Sequence, residues 1–240
     1  MNKLINKKKK VQLHRYSKED KVLVAVDCII FGFDKEGLKI LLIKRDFEPK
    51  KGEWSLMGGF LKRQETLNDA ANRVLKKLTG LEEVYMEQLL SYSEIDRDPE
   101  ERTLSVAFFA LINIANYDLK LNKENAAQWF SLAEAPTPIF DHQQMINEAL
   151  VTLKRKALSK PIGFELLPNK FTMRQLQNLY ESILSQKLDK RNFISKINAL
   201  KILTRLEEKD KSTSKKGAYL YQFDEEKYHL KKEDGFSFRI

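Results

Sequence analysis

The chain has 240 residues, 42% of them hydrophobic, and a formal net charge of +9. That length accommodates one large domain, or a medium domain beside a small one, with enough apolar content for real cores. No apolar run of about 18 residues is present to span a bilayer, and the basic start MNKLINKKKK has no apolar stretch behind it, which argues against a membrane or secreted protein and for a soluble, cytoplasmic one.

In chain order, residues 1–20 read as a polar, basic arm holding five lysines in its first ten positions. KVLVAVDCIIFGF is an apolar, β-branched strand and LKILLIKRD a second, joined by the turn KEG. The single cysteine, Cys28, lies inside the first of these runs and reads as a core thiol in a reducing compartment. After the loop EPKKGEW, the segment from Glu65 to Thr79 places Leu67, Ala70, Ala71, Val74, Leu75 and Leu78 at the i, i+3, i+4 spacing of an amphipathic helix, with Gly80 placed to stop it. Two more strands are predicted in EVYMEQLLSYSEI and TLSVAFFALINIA, separated by the polar loop DRDPEER. A further helix opens at Asp141 as N-cap and buries Met145, Ile146, Ala149, Leu150 and Leu153, with His142 helping it start.

Beyond Leu158 the segment SKPIGFELLP carries the Pro and Gly punctuation of a connection. Thr172 and Gln175 form a capping box ahead of a helix with Leu176, Leu179, Tyr180 and Ile183 on one face. Asp189 caps the next helix, which buries Phe193, Ile194, Ile197 and Leu200. KILTRLEE, the hydrophilic tip KDKSTSKKG and AYLYQFD follow, with Tyr219, Tyr221 and Phe223 alternating as one strand face. Helix, tight turn, helix and basic hairpin is the order of a winged helix-turn-helix. Residues 160–240 hold 17 Lys and Arg against 11 Asp and Glu, an excess that points to a polyanion partner.

The stretch GGFLKRQETLNDAANRVLKKLTGL resembles the Nudix box, G-x5-E-x7-R-E-U-x-E-E-x-G-U, with Gly59, Glu65, Arg73, Leu75, Gly80 and Leu81 on its frame. In Nudix hydrolases the glutamates of the R-E-U-x-E-E part hold Mg²⁺, which takes several oxygen ligands. Here those three positions are Val74, Lys77 and Leu78, so only Glu65 and Asp69 remain. No metal, no cofactor and no enzymatic activity are expected. The alternative is a Nudix pyrophosphohydrolase with relocated ligands, for which the loop acids Glu94, Asp96, Asp98, Glu100 and Glu101 are candidates. His14, His142 and His229 are too scattered for a metal site.

Together with the C-terminal pattern, the spoiled box is similar to the Nudix-related transcriptional regulators of bacteria, from about Val22 to Phe223. The resemblance implies an α+β fold: a Nudix-like mixed sheet flanked by helices over 21–158, then a winged helix-turn-helix domain over 159–240, within a homodimer. It implies a regulator, here expected to be a repressor, that binds double-stranded operator DNA and senses a sugar or nucleotide sugar. A pentose such as arabinose, for carbohydrate metabolism, is expected slightly ahead of ADP-ribose. Arg191, Asn192, Ser195 and Lys196 are the expected base-reading face, and Arg174, Lys190, Lys209, Lys211, Lys215 and Lys216 the phosphate contacts. Phe47, Trp54 and Tyr92 are candidates to stack on the effector, and Arg45, Lys77, Arg97 and Arg102 to meet its phosphates or hydroxyls.

Overall fold

The computed structural model describes residues 21–82, 84–117, 127–212 and 215–233; the basic arm and His14 lie outside them. Among the described residues seven strands form one mixed sheet: β1 (Leu23–Asp34), β2 (Gly37–Lys44), β3 (Trp54–Ser55), β4 (Met57–Phe60), β5 (Glu87–Tyr92), β6 (Thr103–Asn113) and β7 (Gln128–Ser131). The main order is β3-β2-β1-β6-β5, with β4 on β1 and β7 on β2. β1 and β6 run parallel in an eleven-pair register from Leu23↔Thr103 to Phe33↔Asn113, while every other pairing is antiparallel.

The two faces of β1 follow the period of two that a strand imposes. Its even residues Val26, Cys28 and Ile30 pack under α1 (Leu67–Thr79) through Ala70, Ala71, Val74 and Leu75. Cys28 is fully buried, its thiol donates weakly to the Ala71 carbonyl at 3.7 Å, and burial pushes its pKa up, as expected of a core thiol. On the opposite face Ile29 and Phe31 meet α3 (His142–Ser159) through Met145, Ala149 and Leu153. Leu150 is only half-buried, and a short α2 (Ile114–Tyr117) follows β6 where strand continuation was predicted.

α3 also belongs to the second domain. Among the described residues it is followed by a 3-10 turn at Phe164–Leu166, β8 (Phe171–Thr172), α4 (Met173–Leu184), α5 (Lys190–Leu200), β9 (Leu203–Asp210), β10 (Ala218–Phe223) and α6 (Glu225–Glu233), with the small sheet ordered β8-β10-β9. α4 packs on both α3 and β2. Consequently one apolar core runs from Phe31 and Leu42 of the large sheet through Leu153 and Ala157 to Leu176, Tyr180, Phe193 and Ile197. The N-caps of α4 and α5 are both as predicted: Thr172 and Gln175 close a capping box, and the Asp189 carboxylate accepts from the Asn192 amide at 2.8 Å. The alternation of Tyr219, Tyr221 and Phe223 is broken by a register shift between Tyr219 and Tyr221, so that only the latter two pack against the core. α6, unanticipated from its polar sequence, is fixed through Tyr228 on Phe223.

Candidate functional site

The box residues form a tight scaffold. Arg73 donates two hydrogen bonds to the Glu65 carboxylate, at 2.8 and 2.5 Å, and one to the Phe60 carbonyl at 2.9 Å. That fork holds the Glu65 pKa down to about 2, so the carboxylate is ionised and already paired. Asp69 is likewise occupied, closing a capping box with Thr66 at the start of α1. Val74 is buried beneath Gly59, where a β-carbon would come within 2.8 Å of its Cγ2. Leu78 is half-buried and Lys77 exposed on α1. The box therefore does not fit a divalent cation: its surviving carboxylates are committed to neighbours, and the other ligand positions are apolar or cationic. Of the loop acids, Asp98 accepts from the Glu100 amide, and no group of three or more His, Cys, Asp or Glu among the described residues is arranged to hold a metal.

A cavity of about 470 Å³ opens on the other face of the sheet, within the usual size of small-molecule sites (about 300–1,000 Å³). Its floor is the odd face of β1, Leu23, Ala25 and Asp27, flanked by Gly58, Thr103 and Ser55. Gly58 lies opposite Asp27 in the β1–β4 register, and a β-carbon there would stand 2.4 Å from Asp27 Oδ1. Asp27 accepts from the Ser105 hydroxyl at 2.5 Å and faces Arg97 at 3.7 Å and His142 Nε2 at 3.6 Å. Arg97 in turn grips Asp141 with both arms, at 2.8 and 2.7 Å. His142 Nδ1 accepts from the Leu56 amide, which leaves its proton on Nε2 toward Asp27; burial lowers its pKa and keeps the ring neutral. Above this floor, the Arg45 guanidinium lies 4.0 Å from the Phe47 ring centroid and 5.7 Å from that of Phe140, tethered by its Nε to the Pro49 carbonyl.

Of the predicted effector residues, Arg45, Phe47 and Arg97 line this cavity. Trp54 turns away to meet Phe130 edge-on, and Tyr92 lies in the shared core, its hydroxyl donating to Glu148 of α3. Arg102 is exposed and bonds the Glu94 carbonyl, while Lys77 stands on the helix covering the opposite face. Sequence reasoning offered Arg97 to the effector and gave Asp141 and His142 to the helix start. Asp141 does occupy the N-cap position, but its side chain makes no cap bond because Arg97 holds it. Asp27, Phe140 and His142 were missed as cavity residues; an aspartate inside a strongly apolar strand was the available signal.

The second site is the face of α5 opposite Phe193, Ile197 and Leu200. Arg191, Asn192, Ser195 and Lys196 are all exposed there, and Lys190 is exposed at the helix start. Lys209, Lys211, Lys215 and Lys216 are exposed at the β9–β10 tip. Arg205, not anticipated, stacks 3.7 Å from the Tyr219 ring centroid, with Lys209 over the same ring at 4.4 Å. Arg174 is exposed on α4 and lines a cleft between that helix and the β1–β2 turn. If α5 enters a major groove, Arg191→Ala should cost about 1–3 kcal/mol on a specific site and relax base preference there, as read by competition between cognate and substituted duplexes. An unchanged preference would remove Arg191 from base reading.

Residues 21–149 match the NUDIX domain family and residues 163–223 the NrtR DNA-binding winged helix domain. The chain is 35% identical over 219 residues to the ADPR responsive transcriptional repressor NtrR of Acinetobacter baylyi, covering 88% of this chain and 86% of that protein. It is 37% identical over 141 residues to an ADP-ribose pyrophosphatase of Methanocaldococcus jannaschii, covering 58% of this chain and 80% of the other. The crystal structure of Shewanella oneidensis NrtR complexed with a 27mer DNA superposes with a TM-score of 0.77 at 26% identity, covering 90% of this chain and 97% of that one. These likenesses bear out the Nudix-type domain followed by a winged helix-turn-helix.

Proposed function

The chain belongs to the family of Nudix-domain proteins that carry an NrtR DNA-binding winged helix domain, and from that premise we propose that it is a transcriptional repressor whose Nudix domain binds ADP-ribose and does not hydrolyse it. The observation that carries the reading is the double role of α3. Its N-cap residue Asp141 holds the cavity residue Arg97 and its first residue His142 lines the cavity, while Leu153 and Ala157 pack in the core that holds α4 and α5. A ligand that moves Arg97 moves the start of this helix, and with it the pose of the DNA-reading helices. In a homodimer spanning two half-sites, a small rotation of α3 spoils the fit of both.

For the effector, the likeness to an ADPR responsive repressor favours ADP-ribose over the pentose expected from sequence, which finds no support among the relatives. The cavity agrees in chemistry: the exposed Phe47 ring offers a face to a base, and Arg45 offers a cation to a diphosphate. For the absence of turnover, the support is the loss of the box carboxylates to Val74, Lys77 and Leu78. The hydrolase alternative draws on the likeness to an ADP-ribose pyrophosphatase, but the box that aligns with it lacks a metal-binding set.

The test is a titration of ADP-ribose with and without a DNA fragment from upstream of the chain's own gene. ADP-ribose should weaken DNA binding by about 5–150-fold, and the DNA should weaken ADP-ribose binding by the same factor, as linkage requires. With Mg²⁺ or Mn²⁺ present, ADP-ribose should be recovered intact. Equal affinities in the two titrations would remove the coupling, and metal-dependent cleavage that vanishes in Glu65→Gln would make the chain a hydrolase.

A further inference from the structure

The β1–β2 turn of the Nudix domain lies against the DNA-reading domain in a way that the roles described so far do not use. The turn runs from Asp34 to Gly37, and Gly37, at φ +126°, brings the backbone close to Ser182 of α4. Between turn and helix is a cleft of about 590 Å³ lined by Lys35, Glu36, Arg174, Asn178 and Lys187, among others. Its carboxylates are already engaged: Glu36 pairs with Lys39 at 2.6 Å, Glu181 with Lys187 at 2.8 Å, and Asp34 also holds Lys39 at 2.7 Å. Lys35 and Arg174 are exposed and form no salt bridge among the described residues. Lys35 also lies close enough to the end of β9 to help lower the Asp210 pKa, behind the Ser212 hydrogen bonds that dominate that shift. The sensor's turn is thus next to the tip of the wing as well as to α4.

We propose that the β1–β2 turn is a DNA-backbone contact of the Nudix domain itself, in which Lys35 and Arg174 clamp a phosphate from either side of this cleft. The inference rests on the reading of the chain as a DNA-binding protein and extends its interface into the sensor. Two cations on separate elements, with neighbouring carboxylates neutralised, suit a phosphate track, which is recognised by charge and not by sequence. It also gives Arg174, exposed on α4 and not on the base-reading helix α5, a second cation across the cleft. Because β1 carries Asp27 in the cavity floor and Lys35 in the turn, one strand would join the ligand to the DNA without passing through α3.

The experiment compares the full-length protein with Lys35→Gln, Lys35→Glu and Lys76→Gln on the upstream fragment and on a random duplex, from 50 to 200 mM salt. Lys35 is exposed in a turn and Lys76 is exposed on α1, outside both sites, so folding is not at stake. Each lost phosphate contact lowers the salt slope by about 0.9, so the deficit of Lys35→Gln should shrink by about 3.5-fold across that range. The loss should be alike on both duplexes and larger for Lys35→Glu, with Lys76→Gln unaffected and ADP-ribose affinity unchanged in the absence of DNA. An unaltered slope in both Lys35 variants would overturn the clamp and leave the repressor reading standing. Failure of the unsubstituted protein to bind either duplex would overturn that reading and the clamp with it.

Discussion

Arg97→Ala should destabilise the protein by about 3–5 kcal/mol and leave whatever still folds unable to respond to effector on DNA. The side chain is nearly inaccessible and serves two carboxylates at once, gripping Asp141 and facing Asp27 at 3.7 Å. Truncating it leaves both acids in a poorly hydrated place with no compensating cation, and the penalty for an orphaned buried charge exceeds what the pair contributes when complete. Arg97→Lys should recover only part of the loss, since an ammonium restores the charge but not the two-armed geometry. Urea unfolding reads the effect as a lower midpoint at unchanged slope. A change below about 1 kcal/mol would mean that the network is hydrated and peripheral.

Phe193→Ala should cost a comparable amount, about 3–5 kcal/mol, and its signature matters more than its size. Phe193 belongs to α5, yet it is 2% exposed in a core continuous with Ile29, Phe31 and Leu42 of the Nudix sheet. If that continuity governs cooperativity, calorimetry will show one transition in the parent and one, displaced downward, in the variant. Two transitions of which only one moves would mean that the domains melt independently and that the shared core is merely a contact.

How much of this was legible in the sequence depends on the range of the interactions. Local signals read well: the capping box of Thr172 and Gln175, the Asp189 cap, and Gly80 at a positive φ ending α1 are all short-range chemistry written in adjacent residues. The box frame around Glu65 and Arg73 was legible for the same reason. The cavity was not, because its floor joins Asp27 to Arg97 and His142 across 70 and 115 residues, and the spacing of one strand cannot announce its partner. Trp54 and Tyr92 were chosen as exposed stacking groups on residue type alone, and tertiary packing assigned both elsewhere. The α6 helix and the single turn of α2 have too little apolar periodicity to stand out before their neighbours are known.

The eighteen-residue α3 bears on how such a protein can be rearranged by recombination. A helix of that length is about 27 Å from end to end, and here one end borders the cavity floored by Asp27 while the other lies in the core shared with α4 and α5. A crossover placed in the connection after Lys160 would look clean on a sequence map, yet it would give the new partner a DNA-reading module stripped of the helix it folds around. The exchangeable unit is therefore the reader together with α3, and α3 brings Asp141 and His142 along. Under the proposed function, operator specificity and ligand specificity are then inherited as a linked pair, divided only by breaks inside a helix.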